Sequence, residues 1–177
     1  MITKKYMCPE CFKLFTESKA NEMKFKHHCH AAYDGDYLIP IDEPIAEAIS
    51  TMNQKGYTTK YCCSGHWEGG DVEKIARFYV TFEVPLHAVS YLLSHAPVGL
   101  ELTCDITGTD YLRHGVIPMH LSGDGGLSMY VVDMDEDTEL TEEFYNASQK
   151  WVDESYVFSF KKWVEMLPDI EDLEVKE

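Results

Sequence analysis

The chain has no long hydrophobic run and few basic side chains. No stretch approaches the roughly 18 consecutive apolar residues of a membrane span, and the first residues lead into no apolar signal segment. Only 15 lysines and arginines stand against 31 acidic residues, so the net charge is −16. The electrostatic field of so negative a chain repels the phosphate backbone of nucleic acids. We therefore expect a cytoplasmic protein without membrane contact, for which direct nucleic-acid binding is unfavourable.

The acidic side chains are concentrated in the last part of the chain. Residues 133–177 carry fifteen acids against four lysines, whereas residues 1–30 carry six lysines against three glutamates. One hypothesis is therefore an acidic interaction protein with a basic protein partner, such as a phage-type inhibitor that mimics a nucleic-acid surface. The alternative is that the charge only keeps a small protein soluble. Residues 168–177 are expected to form a frayed acidic tail.

Six cysteines in a chain without a secretion signal indicate metal ligands or reactive thiols, because the cytosol keeps thiols reduced. Cys8 and Cys11 form a C-x2-C pair, which supplies two thiolates from one tight turn. A tetrahedral zinc site then needs two further nitrogen or sulfur ligands. The surrounding segment is short and polar, and a metal would help to hold it together.

Four side chains of the run 27–30 compete for the two remaining zinc positions. If residues 20–30 are helical, His27 and His30 share a face. If the run is extended, His27 points the same way as Cys29, or His28 the same way as His30. Our candidate zinc ligands are Cys8, Cys11, His28 and Cys29, and residues 1–32 form the predicted zinc-knuckle module.

Residues 33–167 are predicted to form an α/β domain, with α+β as the alternative, in which helices pack on a mixed sheet. A helix begins after Asp42, carries an apolar stripe as far as Met52 and stops at Gly56. The remaining predicted elements are strands at 57–61, 77–84 and 98–106, a helix from Pro85 between the last two, a hairpin of 115–121 with 127–134, and a C-terminal helical segment over 140–167 with a break near 153–155.

The loop after strand 57–61, residues 62–70, combines two thiols, an imidazole and three glycines. In one interpretation Cys63 and His66 bind metal, either closing the first zinc site or making a second with His114, His120 or Cys104. In another, Cys63 and His66 are catalytic, and Cys62, Ser64 and Gly65 help to bind a small molecule or anion. In a third, the cysteines are buried small side chains that end a strand.

The run from Ile49 to His66 resembles the helix, strand and loop around the Ser-Cys-Ser-Gly-Arg motif of the wybutosine-synthesising tRNA methyltransferase family. The strand–helix–strand that follows is also similar, and the match covers roughly 30 residues. The resemblance implies a similar fold and, for activity, S-adenosylmethionine and a tRNA substrate. His66 replaces the motif arginine, and no Gly-x-Gly cofactor loop follows a strand. The fold analogy is therefore stronger than the implied methyl transfer.

A zinc knuckle followed by a Cys-Cys-x-Gly-His loop also resembles small proteins of Gram-positive bacteria and their phages, which implies no known activity. The leading hypothesis is a zinc-binding α/β protein with a small-molecule or metal site at the loop 62–70. The alternatives are the acidic interaction protein and a tRNA-modification-like methyltransferase. Whether the chain is an enzyme is left open by the sequence.

Overall fold

A computed structural model describes residues 3–29, 36–65, 78–104, 114–123 and 150–173. Within these residues the strands are β1 Lys4–Met7, β2 Leu14–Thr16, β3 Lys26–His27, β4 Asp36–Tyr37, β5 Ile39–Asp42, β6 Thr58–Ser64, β7 Phe78–Pro85, β8 Glu101–Cys104 and β9 Val116–Gly123. The helices are α1 Glu17–Glu22, α2 Glu43–Gln54, α3 Leu86–Ser94 and α4 Phe158–Met166, with a π-helical turn at Asp153–Val157 and a 3-10 turn at Ile170–Asp172. None of the described helices has the length and apolar character needed to cross a membrane.

The largest described sheet has the strand order β6-β7-β9-β8. The predicted α/β fold is confirmed, and the predicted strand–helix–strand unit corresponds to β7, α3 and β8. Strand β9 lies between β7 and β8 and is antiparallel to both. The two strands joined by α3 are therefore parallel but not adjacent, a split βαβ arrangement, and every described strand pair is antiparallel.

Helices α2, α3 and α4 pack on one face of this sheet. Strand β7 alternates buried and half-buried side chains, and its fully buried Phe78 and Phe82 contact α4. The ring centroids of Phe78 and Phe160 are 5.5 Å apart, and those of Phe82 and Trp163 are 6.3 Å apart. The predicted apolar stripes of α2 and α4 are both buried; they comprise Ile45, Ala48, Ile49 and Met52 in α2, and Val157, Phe160, Val164 and Leu167 at and around α4.

The C-terminal residues are packed as far as the structure describes them. The break expected near residues 153–155 coincides with the π-helical turn. The expectation of a frayed tail from residue 168 is corrected for residues 168–173. The Tyr57 hydroxyl donates to the Pro168 carbonyl at 3.0 Å, and the Ile170 N–H donates to the Lys55 carbonyl at 2.8 Å.

The N-terminal segment pairs with residues that follow the boundary predicted at residue 32. Strand β1 pairs with β2 on one side and with β5 on the other, so the second sheet includes residues 39–42. Strands β3 and β4 form a small additional pair. Met7, at the end of β1, belongs to the same core cluster as α2 and the large sheet. The predicted boundary at residue 32 lies outside the described residues, and the described strands β1 and β5 on either side of it belong to one sheet.

Strand β6 is longer than the sequence indicated. It continues through Cys62 and Cys63 to Ser64, all three paired with β7, so the loop begins at Gly65 rather than at Cys62. A bulge between Thr59 and Tyr61 shifts the register within the strand. Several predicted features lie outside the described residues. They are His30, His66 with the rest of the loop, the second hairpin strand at 127–134, and residues 133–149 and 174–177 of the acidic segment 133–177.

Candidate metal centre

Cys8 and Cys11 lie on a tight turn between β1 and β2. The Cys8 N–H donates to the Lys13 carbonyl and the Phe12 N–H donates to the Cys8 carbonyl, both at 3.0 Å. Phe12 has a φ of +58°, a left-handed conformation that reverses the chain after the second cysteine. Cys8 is fully buried and Cys11 is exposed. The turn thus directs one thiol inward and leaves the other at the rim.

His27 and Cys29 reach the turn from β3 and the residues after it. Helix α1 ends at Glu22, and Lys24 and Phe25 then adopt φ values of +53° and +57°. These two left-handed residues directly precede β3, in which His27 is extended. Because successive side chains of an extended chain point to opposite sides, His27 and Cys29 face the same way.

The four side chains Cys8, Cys11, His27 and Cys29 form a cluster with the spacing of a metal site. One ligand atom from each lies within 4.8 Å of all the others, and the sulfurs of Cys8 and Cys29 are 3.1 Å apart. The three cysteines were predicted from the sequence as zinc ligands. The predicted histidine ligand was His28, whereas the structure brings His27 into the cluster and leaves His28 out of it.

The electrostatics of the thiols favour a cation at the cluster. Burial raises the pKa of Cys11, but hydrogen bonds from the Lys13 N–H and from the Cys29 and Cys8 thiols outweigh it and lower the pKa. For Cys29, the hydrogen bond with Cys8, then burial, then the bond with Cys11 and the charges of both raise the pKa to about 12. One thiolate is stabilised while a further one is opposed, and a bound cation removes that opposition.

The donor set fits zinc. Three sulfurs and one imidazole nitrogen are ligands that zinc prefers in closed tetrahedral sites. Zinc–sulfur bonds of about 2.3 Å place two sulfurs of a tetrahedral site roughly 3.8 Å apart. The pairwise limit of 4.8 Å admits that geometry, and Cys8 and Cys29 need to separate by only about 0.7 Å.

The other candidate ligands that the structure describes do not gather into a comparable group. Among the described residues, the four-residue cluster is the sole set of three or more cysteine, histidine or acidic side chains close enough to share a metal ion. Cys63, Cys104, His114 and His120 are described and belong to no such set.

The adjacent cysteines of β6 face opposite sides of the large sheet. Cys62 pairs with the buried Val80 and packs against the core, and burial is the main cause that raises its pKa to about 12. Cys63 pairs with Tyr79 on the other face and is partly exposed. Burial, with the neighbouring Cys63, Cys62 and Asp42, raises the pKa of Tyr79. Cys63 is therefore the cysteine of this pair on the sheet face away from the helices.

Ser64 and Gly65, which the sequence assigned to ligand binding, have structural contacts. Ser64 is fully buried, and both its N–H and its hydroxyl donate to Asp42 Oδ2, at 2.9 and 3.0 Å. Gly65 has a φ of +82°, and a Cβ there would lie 2.7 Å from Val152 Cγ1. A larger residue is thus opposed both by the backbone conformation and by the lack of space.

No protein-family model, curated protein or solved structure matches the chain. The resemblance of residues 49–66 to the methyltransferase motif stays a prediction from the sequence.

Proposed function

We propose that this chain is a zinc-binding protein in which Cys8, Cys11, His27 and Cys29 hold one structural Zn²⁺. The observation that carries the proposal is the mutual approach of these four donors within 4.8 Å, from two segments separated in sequence. Four protein ligands complete a tetrahedral site and leave no open position for water or substrate. The site therefore serves folding rather than metal catalysis.

Zinc would stabilise a part of the fold that has little apolar support. The buried cluster beneath the site comprises Cys8, Ala20 and Leu38, with a few half-buried aromatic rings around it. So small a cluster contributes little free energy of folding, whereas a structural zinc site contributes folding free energy directly. The metal would join the turn between β1 and β2 to β3.

A small-molecule site at the end of β6 is the second part of the proposal. Its support is the placement of Cys63 beside Tyr79 on the sheet face away from the helices. A partly exposed thiol at a strand end can contact a ligand, whereas the buried Ser64 is occupied by Asp42. Selective reactivity of Cys63 tests this part.

The zinc site is tested by elemental analysis of the untagged protein. We expect one zinc per chain in the wild type and loss of most of it in Cys11→Ser, whose exposed side chain can be replaced without removing buried packing. Cys104→Ser is the matched control, because Cys104 ends β8, packs against the main core cluster and belongs to no described metal cluster. Full zinc content in both Cys11→Ser and Cys29→Ser would contradict the proposal.

A further inference from the structure

An apolar groove lies between α4 and the connection that follows α3. Its volume is about 690 Å³, within the range of roughly 300–1,000 Å³ typical of ligand sites. Val98 in the connection is 88% exposed, and Met166 at the end of α4 is 74% exposed. Phe158, also more than half exposed, lies on α4 with Met166 and Lys162 at i, i+4, i+8 spacing, which forms one stripe along the helix.

Hydrogen bonds between the two walls of the groove fix their relative position. The Trp163 Nε1–H donates to the His95 carbonyl at 2.6 Å, and the Ser159 hydroxyl donates to the Val98 carbonyl, also at 2.6 Å. The His95 ring is fixed in turn, since it stacks on Tyr91 at 4.2 Å between centroids. These contacts use polar groups of both walls internally and leave apolar surface facing the groove. Its shape therefore exists before any ligand binds.

The described lining of the groove differs in charge from the chain as a whole. The described lining residues are His95, Ala96, Pro97, Val98, Gly99, Ser155, Phe158, Ser159, Lys162, Trp163 and Met166, and none of them is acidic. The whole chain has 31 acids against 15 lysines and arginines. The lysine in the lining is more than half exposed and forms a surface ion pair with Glu165 at 2.7 Å. Such an exposed pair is weak enough for a competing anion to exchange with Glu165.

We infer that the groove binds an unbranched aliphatic carboxylate, with its chain against Val98, Phe158 and Met166 and its carboxylate at Lys162. The exposed apolar stripe accounts for the aliphatic part, because large exposed apolar surface on a folded protein marks a binding site. The lysine, in a lining whose described residues include no acid, accounts for the anionic end. This inference is independent of the zinc site.

The test is isothermal titration calorimetry with decanoate and, as an uncharged probe, octanol. We expect decanoate to bind the wild type, and shorter acids to bind more weakly by up to about fourfold for each methylene removed. Lys162→Gln should weaken decanoate by about two- to fivefold without affecting octanol, and Glu165→Gln should strengthen decanoate by freeing the lysine. Equal binding of decanoate by the wild type and Lys162→Gln would overturn the assignment of the anionic end.

Val98→Asp and Leu86→Asp form a matched pair for the apolar part. Both positions are more than half exposed, so neither substitution should unfold the protein, but Leu86 is not a described lining residue. We expect Val98→Asp to weaken decanoate by about tenfold or more and Leu86→Asp to leave it unchanged. Absence of decanoate heat in the wild type overturns the inference. So does self-association that Val98→Asp abolishes, or binding to neutral phosphatidylcholine vesicles, because these assign the groove to a second copy or to a lipid surface.

Discussion

Asp42 holds Ser64 by two hydrogen bonds to the same carboxylate oxygen, one from the serine N–H and one from its hydroxyl. Its other oxygen contacts Lys4 Nζ at 2.5 Å. Lys4 begins β1, Asp42 ends β5 and Ser64 ends β6, so one buried carboxylate connects two sheets. Asp42 precedes α2, as the sequence predicted, but makes no side-chain capping bond to that helix. Its carboxylate instead joins the N-terminal sheet to the large sheet.

Replacement of Asp42 should therefore destabilise the whole fold. In Asp42→Ala the N–H and hydroxyl of Ser64 lose their acceptor in a buried place, which should lower the free energy of unfolding by roughly 3 kcal/mol. Glu43→Gln is the control, because Glu43 is exposed and its contacts with Thr3 and Lys5 are at the surface. We expect Glu43→Gln to lower the free energy of unfolding by less than about 1 kcal/mol. Urea unfolding of both variants checks the difference, and equal losses would contradict the role of Asp42.

The two neighbouring histidines of the zinc segment should differ in their effect on metal content. His27→Gln removes an imidazole of the cluster and should lose most of the zinc, or bind it at least tenfold more weakly. His28→Gln, one residue along, changes a side chain outside the cluster and should keep one zinc per chain. Competition with a coloured zinc chelator measures both affinities. Metal loss in His28→Gln with retention in His27→Gln would show that His28, not His27, is the histidine ligand.

The two cysteines of β6 should differ in their reactivity with an alkylating reagent. Cys63 is on the sheet face away from the helices, whereas Cys62 packs against the core with a pKa of about 12 and has very little thiolate at pH 8. We expect iodoacetamide to label Cys63 well before Cys62 in the native, zinc-loaded protein. Peptide mass spectrometry identifies the labelled residue. Labelling after denaturation, where both thiols should react equally, is the control.

The raised pKa of Cys62 also predicts a loss of stability at high pH. Folding raises this pKa from an ordinary 9.0 to about 12, so the folded protein holds the thiol proton more tightly than the unfolded chain. The stabilisation is complete below about pH 9 and is lost as the pH rises towards 12. The free energy of unfolding should fall by up to roughly 2 kcal/mol more between pH 8 and 10.5 in the wild type than in Cys62→Ala. Parallel pH curves would contradict this assignment.

Gly56 should be far less tolerant of alanine than Gly115. Both have positive φ, +90° and +70°, so both substitutions strain the backbone by roughly 1 kcal/mol. A Cβ at Gly56 would lie 2.4 Å from Ile170 Cγ2, whereas nothing lies within 4 Å of one at Gly115. We expect Gly56→Ala to cost about 1–3 kcal/mol more in thermal or urea unfolding. Similar losses in the two variants would mean that Ile170 moves aside.

Local patterns were sufficient to predict α2 but not the zinc register. The apolar spacing of α2 and its stop at Gly56 are properties of adjacent residues, and both are found in the structure. The position of His27 depends on the left-handed turn at Lys24 and Phe25, where no glycine or asparagine signals it. The extended alternative in the sequence did pair His27 with Cys29. Only the backbone conformation of residues 24–27 decides between this extended alternative and the helical one.

The end of β6 was mispredicted for a different reason. Ser64 and Gly65 are residue types typical of a turn, and they directly follow Cys62 and Cys63. The pairing of residues 62–64 with Val80, Tyr79 and Phe78 depends on residues some 15 positions away, which a local pattern does not include. The exposed stripe of α4 was visible only indirectly, as apolar side chains at positions 158 and 166 outside the predicted buried face.

The position of β9 also determines how the sheet can form during synthesis on the ribosome. Strands β6 and β7 can pair once residue 85 has emerged, but the second edge of β7 has no partner until residues 116–123 follow. Strand β8 waits for the same partner, although it is made earlier. A nascent chain that pauses between residues 104 and 116 therefore presents an open edge of β7, a site where chaperones or other unfinished chains can attach.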